Sequence, residues 1–244
     1  MALSAARRLD AAIFDLFGTL VPEFSRQEFF DHVRAMGREL GVDEDAFQAA
    51  WEATAFERQT GVYPTIEANV RAFCGAQAWT VDDAAMARAL AIRDELYRRR
   101  FHPRAGAVET LTELQARGVP VGLISMCAPD TPEHWHASEL APFVDVTVFS
   151  SEVALRKPDP AIYRVATDRL GVDPTACLYC GDGAYGELTG AEALGMTAVL
   201  IREPGVDLDA QLTPERDGWD ERVIDDLREL LELFPSTTTE GGAR

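Results

Sequence analysis

The second half of the chain alternates between short apolar runs and segments with helical spacing, and this alternation constrains the fold more than any other feature. The apolar runs are residues 119–124, 144–149, 177–180 and 197–201, and the helix-like segments are 106–117, 159–170, 185–194 and 220–233. Short continuous apolar runs are typical of strands that are buried on both faces. The alternation therefore predicts an α/β fold with a parallel sheet and helices on both faces.

The first hundred residues follow a different pattern. Residues 11–14 form one more apolar strand, which ends at Asp15. The chain then shows helical spacing without a convincing strand, and the predicted helices are 26–40, 44–60, 65–76 and 82–100. We therefore predict an all-helical insertion between the first two strands of the sheet.

The net charge of the chain limits the classes of partner that it can bind. There are 41 acidic and 23 basic residues, and the formal net charge is −18. Such a field repels nucleic acids and anionic membranes, so we expect neither as a partner. A small anionic metabolite stays possible as a substrate, because local cations can reverse the field inside a pocket.

The sequence also predicts a cytoplasmic location. No run of about 18 apolar residues is present, so we expect no membrane span. The apolar stretch after the first arginines is interrupted by Asp10 and Asp15, so we do not interpret it as a signal peptide. Cys177 and Cys180 form a single C-x-x-C inside an apolar run, so we interpret them as buried residues rather than a metal or redox site. A reducing compartment follows from this cysteine usage.

Polar residues stand where predicted strands end. Asp15, Ser125 and Asp182 each follow an apolar run, and the carboxyl ends of parallel strands share one edge of the sheet. Lys157 is the only lysine of the chain, and it directly precedes a predicted helix. A compact ammonium acts differently from the planar guanidinium that supplies every other basic charge here. These four residues are therefore the candidates for a functional site.

Four short motifs carry these residues in a recognisable order. They are Asp15-Leu16-Phe17-Gly18-Thr19, Leu123-Ile124-Ser125, Lys157-Pro158-Asp159-Pro160, and Gly181-Asp182-Gly183 with Glu187. Together they resemble the motifs of the haloacid-dehalogenase-like (HAD) hydrolase superfamily over about residues 10–234. The resemblance implies a Rossmann-like core in 10–22 and 104–234, with a helical cap in 23–103. The Ser/Thr/Gly-rich segment 235–244 is predicted to be a disordered tail.

The resemblance also implies roles for individual residues. Asp15 would be the nucleophile, and Ser125 would bind the transferred group. Lys157 would neutralise the negative charge of both Asp15 and the phosphoryl oxygens. Mg²⁺ would be held by Asp15, Asp182, Glu187 and the backbone carbonyl of Phe17. The candidate substrate-binding residues are Phe17, Thr19, Met126, Arg58 and Tyr63.

Two positions depart from the pattern of the superfamily's phosphatases. Phe17 stands where they usually carry a second aspartate that transfers protons, and a phenyl ring cannot do so. Either the leaving group needs little protonation, as with an acyl phosphate, or another residue donates the proton. The candidates for such a residue by loop position are Glu23, Tyr185, His134 and His136. We predict that residues 134–136 form an exposed loop. Met126 stands where dehalogenases often carry an asparagine.

Three functions remain open at this point. Gly181-Asp182-Gly183 and Glu187 favour Mg²⁺-dependent hydrolysis of a small phosphorylated metabolite through Asp15. An aromatic residue at position 17 resembles the Asp-x-Tyr-Gly-Thr of the metal-independent 2-haloacid dehalogenases. The loss of the second aspartate is also compatible with a non-catalytic binding or regulatory protein. Cleavage of phosphonoacetaldehyde is excluded, because that branch of the superfamily needs a lysine in the cap and the predicted cap, 23–103, contains no lysine.

Overall fold

A computed structural model describes residues 8–202, 215, 218, 219 and 221–235. Its centre is a six-stranded, wholly parallel sheet with the strand order β3-β2-β1-β4-β5-β6. The strands are β1 Ala11–Phe14, β2 Val121–Ser125, β3 Val146–Phe149, β4 Cys177–Gly181, β5 Thr197–Ile201 and β6 Val223–Ile224. The predicted parallel α/β architecture is thereby confirmed.

Ten α-helices lie in the described part of the chain. Five come before β2: α1 Arg26–Glu39, α2 Glu44–Ala53, α3 Ala55–Gln59, α4 Ile66–Ala76 and α5 Asp83–Arg100. Five follow: α6 Ala107–Ala116, α7 Thr131–His136, α8 Ser150–Val153, α9 Pro160–Leu170 and α10 Glu187–Glu192. Short 3₁₀ helices are Ala141–Phe143, Pro174–Ala176, Ala184–Gly186 and Leu227–Leu233.

Alternate side chains of each strand point to opposite faces of the sheet, and both faces are apolar. Ala12 and Phe14 of β1 belong to the cluster that includes α6 and the last 3₁₀ helix. Ala11 and Ile13 belong to the cluster that includes α9 and α10. Because β1 is fully buried on both faces, it can be uniformly apolar, as the sequence pattern indicated.

The order of the strands places the site at a topological switch point. β1 pairs with β2 on one side and with β4 on the other, so the connections leave β1 in opposite directions. A crevice forms at the carboxyl ends of strands at such a point. Asp15, Ser125 and Asp182 stand at the carboxyl ends of these three neighbouring strands.

The helices α1–α5 lie in the chain between β1 and β2 and have an apolar cluster of their own. Ala128, from the loop after β2, joins that cluster. Side chains at the helix starts accept backbone hydrogen bonds and fix where α1, α2, α4 and α5 begin; these residues are Ser25, Asp43, Thr65 and Asp82. Gly61 has a φ of +69°, and a Cβ there would lie 1.9 Å from the Ser151 carbonyl oxygen. The helical segment therefore meets α8, which directly follows β3, through a residue that must be glycine.

Several sequence predictions were wrong in detail. The helix predicted over 44–60 is broken at Thr54 into α2 and α3. The helix predicted over 220–233 is instead β6 followed by the 3₁₀ helix Leu227–Leu233. The physical reason is that Val223 and Ile224 pair with β5 at the sheet edge. Asp226 then starts the last helix through a capping box with Glu229.

The exposed loop predicted at 134–136 is also wrong. These residues end α7, and Trp135 is 1% exposed because it packs into the cluster around α6. The predicted helix 185–194 is α10, which begins at Glu187 because Gly183, Tyr185 and Gly186 have positive φ angles. Residues 236–244 lie outside the described residues, so the predicted tail is not tested there. All four cysteines are buried and none forms a disulfide; the burial of Cys177 and Cys180 was predicted. No described helix is both long enough and apolar enough to cross a bilayer.

Candidate active site

A buried ion pair lies at the centre of the sheet edge. Asp15 directly follows β1, and its backbone N–H donates to the Cys180 carbonyl of β4 at 2.9 Å. The Lys157 ammonium donates to Asp15 Oδ1 and, at 2.6 Å, to Glu187 Oε2. Both Asp15 and Lys157 are buried. The loop before α9 thus brings the single lysine to the candidate nucleophile, as the sequence predicted.

The carboxylate of Glu187 is held from several sides. The Tyr179 hydroxyl donates to Oε2 at 2.7 Å, and the Gly183 N–H donates to Oε1 at 3.0 Å. The Tyr163 hydroxyl donates to the Glu187 carbonyl at 2.8 Å. These hydrogen bonds fix a buried carboxylate that in turn orients Lys157 toward Asp15.

Asp182 follows β4 and has one oxygen without a hydrogen-bond partner. Oδ1 accepts from the Ala184 N–H at 3.1 Å, whereas the buried Oδ2 has no partner among the described residues. Gly18 packs directly against this carboxylate with a φ of +75°, and a Cβ there would lie 2.5 Å from Oδ2. A glycine at position 18 therefore lets the loop after β1 approach Asp182 closely.

Three carboxylates converge at this point against one ammonium. Oxygens of Asp15, Asp182 and Glu187 lie within 4.8 Å of one another. Burial raises the pKa of Asp15 to about 7, although Lys157 lowers it. Burial, followed by the charge of Glu187, raises the pKa of Asp182 well above its ordinary value. Burial disfavours the charge of Lys157, but Asp15 and Glu187 outweigh it and raise its pKa.

This donor set fits a hard divalent cation. Carboxylate oxygens are the ligands that Mg²⁺ prefers, and a buried oxygen without a partner is costly unless something binds it. Asp15, Asp182 and Glu187 could each offer one oxygen to the ion, and Asp182 Oδ2 has no other partner among the described residues. Excess negative charge in the cluster would be offset by such an ion.

Ser125 and Thr19 bring two further hydroxyls to this edge of the sheet. Ser125 is the last residue of β2, and its buried Oγ has no hydrogen-bond partner among the described residues. Thr19 is fully buried, and its Oγ1 likewise lacks such a partner. Ser125 is not among the residues that line the neighbouring cavity, so its role in binding the transferred group stays a prediction.

A cavity of about 380 Å³ lies between this edge of the sheet and the helical segment. Asp15, Met126 and Cys127 line it from the core side. The aromatic lining residues are Phe17, Phe24, Phe29, Phe30, Trp51, Tyr97 and Tyr185. Its volume suits a small ligand, and its wall is largely apolar.

Phe17 is part of an aromatic cluster rather than a proton-transfer group. Its ring lies 5.1 Å from that of Phe24, and it packs edge-on against Tyr97 at 6.0 Å and Phe101 at 5.9 Å. The ring therefore connects the loop after β1 with the end of α5.

The remaining predicted substrate-binding residues are divided between two places. Met126 and Arg58 line the cavity, and Arg58 is 6% exposed. Tyr63 lies partly buried in the turn between α3 and α4, and it is not among the residues that line the cavity. Thr19 is also outside this lining.

The candidate proton donors divide in the same way. Glu23 and Tyr185 line the cavity together with Asp15, whereas His134 and His136 do not. His134 lies 3.5 Å from Asp94, with its ring against Tyr97. Burial raises the pKa of Glu23 to about 8. The hydrogen bond from the Phe24 N–H to Oε1, 2.8 Å long, works against this rise.

Sequence reasoning missed two residues that shape the site. Tyr179 lies in β4, where the apolar pattern hid its hydroxyl. Arg93 is 4% exposed and pairs with Asp130, with its Nη2 2.9 Å from Oδ1. A signal for Arg93 was available, because it interrupts the buried stripe of α5 at Ala89, Leu96 and Tyr97.

The parallel sheet, its switch point and the acidic cluster together define an α/β protein with buried carboxylates at the carboxyl edge of its sheet. Residues 9–195 match the haloacid dehalogenase-like hydrolases, and the chain belongs to this family.

The similar proteins belong to both catalytic branches. The chain is 26% identical over 243 residues to (S)-2-haloacid dehalogenase 4A of Burkholderia cepacia, covering 95% of this chain and 97% of that protein. It is 29% identical over 137 residues to a glyceraldehyde 3-phosphate phosphatase of Methanothermobacter thermautotrophicus, covering 55% and 59%. A HAD phosphatase from Thermococcus onnurineus shares the fold with a TM-score of 0.65 at 20% identity, covering 93% and 99%.

Proposed function

We propose that this chain is a Mg²⁺-dependent hydrolase of a small phosphorylated metabolite. The observation that carries the proposal is the cluster of three buried carboxylates, Asp15, Asp182 and Glu187, of which only Asp15 and Glu187 contact the ammonium of Lys157. Metal-independent chemistry at Asp15 would leave Asp182 Oδ2 buried without a partner. A cation bound there would satisfy that oxygen and offset the excess negative charge.

Asp15 acts as the nucleophile in this proposal. One of its carboxylate oxygens attacks the phosphorus, and the bond from phosphorus to the leaving oxygen breaks with its electron pair on that oxygen. Water then attacks the phosphorus of the aspartyl-phosphate, which releases inorganic phosphate and restores the Asp15 carboxylate. Lys157 is positioned to neutralise negative charge beside Asp15, and the Ser125 hydroxyl can donate to a phosphoryl oxygen.

Asp15 and Asp182 would hold the Mg²⁺, with Glu187 beside them, and the Phe17 carbonyl remains a predicted ligand. When bound, the ion would supply positive charge between an anionic nucleophile and an anionic phosphate. Glu187 additionally keeps Lys157 oriented through its 2.6 Å hydrogen bond.

Glu23 takes the proton-transfer role that Phe17 cannot perform. It lines the same cavity as Asp15, and its raised pKa keeps it protonated at neutral pH. A protonated Glu23 can donate to the leaving oxygen, and the resulting carboxylate can accept a proton from the attacking water.

A single screen tests the proposal. Phosphate monoesters, acyl phosphates and 2-haloacids are supplied to the purified protein with Mg²⁺ or with a chelator, and phosphate and halide release are measured. We expect phosphate release that needs Mg²⁺ and disappears in Asp15→Asn. Halide release in excess chelator, without any phosphate release, would contradict the proposal.

Carbon–halogen hydrolysis is the second candidate. It is favoured by the aromatic residue at position 17 and by the similarity to a 2-haloacid dehalogenase over 95% of this chain. Here Asp15 would attack the carbon that bears the halogen, and halide would leave. A binding or regulatory role is the third, and the buried contact between Asp15 and Lys157 weighs against it.

A further inference from the structure

Arg58 is a buried cation at the cavity wall. It lies in α3 and is 6% exposed, with its guanidinium 4.0 Å above the Trp51 ring. Nη1 donates to the Trp51 carbonyl at 3.0 Å, to Asn69 Oδ1 at 3.2 Å and to Thr54 Oγ1 at 3.3 Å. These partners are neutral, so they orient the side chain without balancing its charge.

Arg58 forms no salt bridge with any described residue. The neighbouring Arg93 is different, because Asp130 neutralises it through two of its nitrogens. Burial, and after it the positive charge of Arg93, lower the pKa of Arg58 to about 9. Arg58 still carries its charge at neutral pH. A buried charge without a counterion is destabilising, and an anionic ligand would relieve it.

The remaining edge of the guanidinium is suited to a carboxylate. Its Nε and Nη2 make no hydrogen bond to a described residue, and this pair of parallel donors matches the two oxygens of a carboxylate. Trp51 also lines the cavity, and its buried Nε1 has no hydrogen-bond partner among the described residues. Two independent observations therefore indicate unused donors at this wall.

We propose that Arg58 binds a carboxylate of the substrate, so that the substrate is a phosphorylated carboxylic acid with an apolar body. This inference rests on the proposed function, because it takes Asp15 as the phosphoryl end of the cavity. The aromatic wall accommodates the carbon skeleton between the two anionic groups. The cavity of about 380 Å³ has room for a small molecule of this kind.

The competing explanation is that Arg58 only supports the fold, since Nη1 joins α2, α3 and α4. The two explanations differ in what a substitution does to different substrates. Loss of structural support would impair all substrates alike. Loss of a carboxylate-binding group would impair only the substrates that carry a carboxylate, mainly through KM.

The test compares matched pairs of phosphate monoesters with Mg²⁺. Each pair is an O-phosphorylated hydroxy acid of two to four carbons and the phosphorylated alcohol that lacks its carboxylate, with phenyl phosphate as a general substrate. We expect the wild-type protein to prefer the acid by roughly 10- to 100-fold in kcat/KM, the scale of hydrogen bonds to a charged group. No preference for the acid would overturn the inference.

Arg58→Gln should remove that preference through KM and change kcat/KM for the alcohols by less than about threefold. Arg58→Lys keeps the positive charge but loses the pair of parallel donors, so it should retain only part of the preference for the acid. This variant replaces Arg58→Gln in the test if the Gln variant does not fold. Arg98→Gln removes an exposed arginine of α5 and is the control expected to leave both substrates unaffected. An equal loss on acids and alcohols in the folded Arg58 variants would contradict the inference.

Calorimetry separates this inference from the proposed function. Small dicarboxylates are titrated into the wild-type protein and Arg58→Lys. If the dicarboxylates bind in a way that depends on Arg58 and no phosphate ester is hydrolysed, the carboxylate-binding role of Arg58 is supported and the proposed phosphohydrolase activity is rejected. If phosphate esters are hydrolysed but neither dicarboxylate binding nor the preference for the acid depends on Arg58, the proposed activity is supported and the carboxylate-binding role of Arg58 is rejected.

Discussion

Phe17 lies two residues after the candidate nucleophile and joins the loop after β1 to α5. Its contacts with Phe24, Tyr97 and Phe101 show why an aromatic residue is retained there. The same ring removes a proton-transfer group from the place where phosphatases of this superfamily carry an aspartate. At the scale of single residues, the chemistry therefore depends on whether Glu23 replaces that group.

Phe17→Asp should supply the missing acid. We expect turnover of phosphate monoesters to rise by roughly 10-fold or more, within the range of a positioned general acid. The loss of aromatic packing should lower the free energy of unfolding by about 1–3 kcal/mol. Phe17→Leu is the control, since it loses the ring without gaining an acid. A folded Phe17→Asp variant without any gain would argue against a phosphatase scaffold.

Glu23→Gln should lower kcat/KM for esters with poor leaving groups, by roughly 10- to 100-fold, because an amide cannot donate the proton. The pKa of Glu23 is raised to about 8, so the acid form predominates below that pH. Wild-type activity that depends on this acid should fall as pH rises through about 8, and the Gln variant should not show this decrease. Glu52→Gln, which changes another cavity-lining carboxylate, is the control. An unchanged profile would exclude Glu23 as the donor.

At the scale of elements, the sheet was the most predictable part. Strands β1, β4 and β5 start where the sequence predicted, because strands buried on both faces are uniformly apolar. The error at 220–233 arose because edge pairing of Val223 and Ile224 depends on β5, which is distant in sequence. Trp135 was placed in a loop for a similar reason, since its burial comes from packing against other elements.

The site was predictable where it follows from topology. Asp15, Ser125 and Asp182 could be brought together because strand ends of a parallel sheet share an edge. The hydrogen bonds of Glu187 with Tyr179 and Lys157 could not be derived, because they depend on side-chain directions across three elements. The cavity wall was also beyond the sequence, since it forms only where the helical segment packs over the sheet edge.

The loop after β1 depends on Gly18 for its approach to Asp182. Gly18→Ala would place a Cβ 2.5 Å from Asp182 Oδ2 and strain a φ of +75°. We expect a loss of about 1–3 kcal/mol in the free energy of unfolding and weaker stabilisation by Mg²⁺. Gly75→Ala is the matched control, because Gly75 lies in α4 with open space around its Cβ position. Equal behaviour of the two variants would contradict the proposed packing.

At the scale of the whole molecule, the acidic cluster couples stability to pH and to Mg²⁺. Burial raises the pKa of Asp15 from 3.8 to about 7 and that of Glu23 from 4.5 to about 8. The folded protein therefore retains protons that the unfolded chain releases, and the metal-free protein should lose stability as pH rises between about 4 and 8.

Denaturant unfolding with a chelator at pH 5 and pH 8 measures this effect. The decrease in unfolding free energy should be smaller in Asp15→Asn, and Mg²⁺ should restore stability at pH 8 in the wild type but not in Asp182→Ala. Stability that is independent of both pH and Mg²⁺ would show that the three carboxylates do not form a cation site.

The central claim is that Asp15 forms a covalent bond to phosphorus. It is tested most directly by acid quenching of a single turnover with a hydrolysed phosphate ester, followed by mass spectrometry of the peptide that contains Asp15. We expect one phosphoryl group on Asp15, formed with Mg²⁺ and absent from Asp15→Asn. An ester between Asp15 and a carbon of a 2-haloacid, formed equally well in chelator, would contradict it.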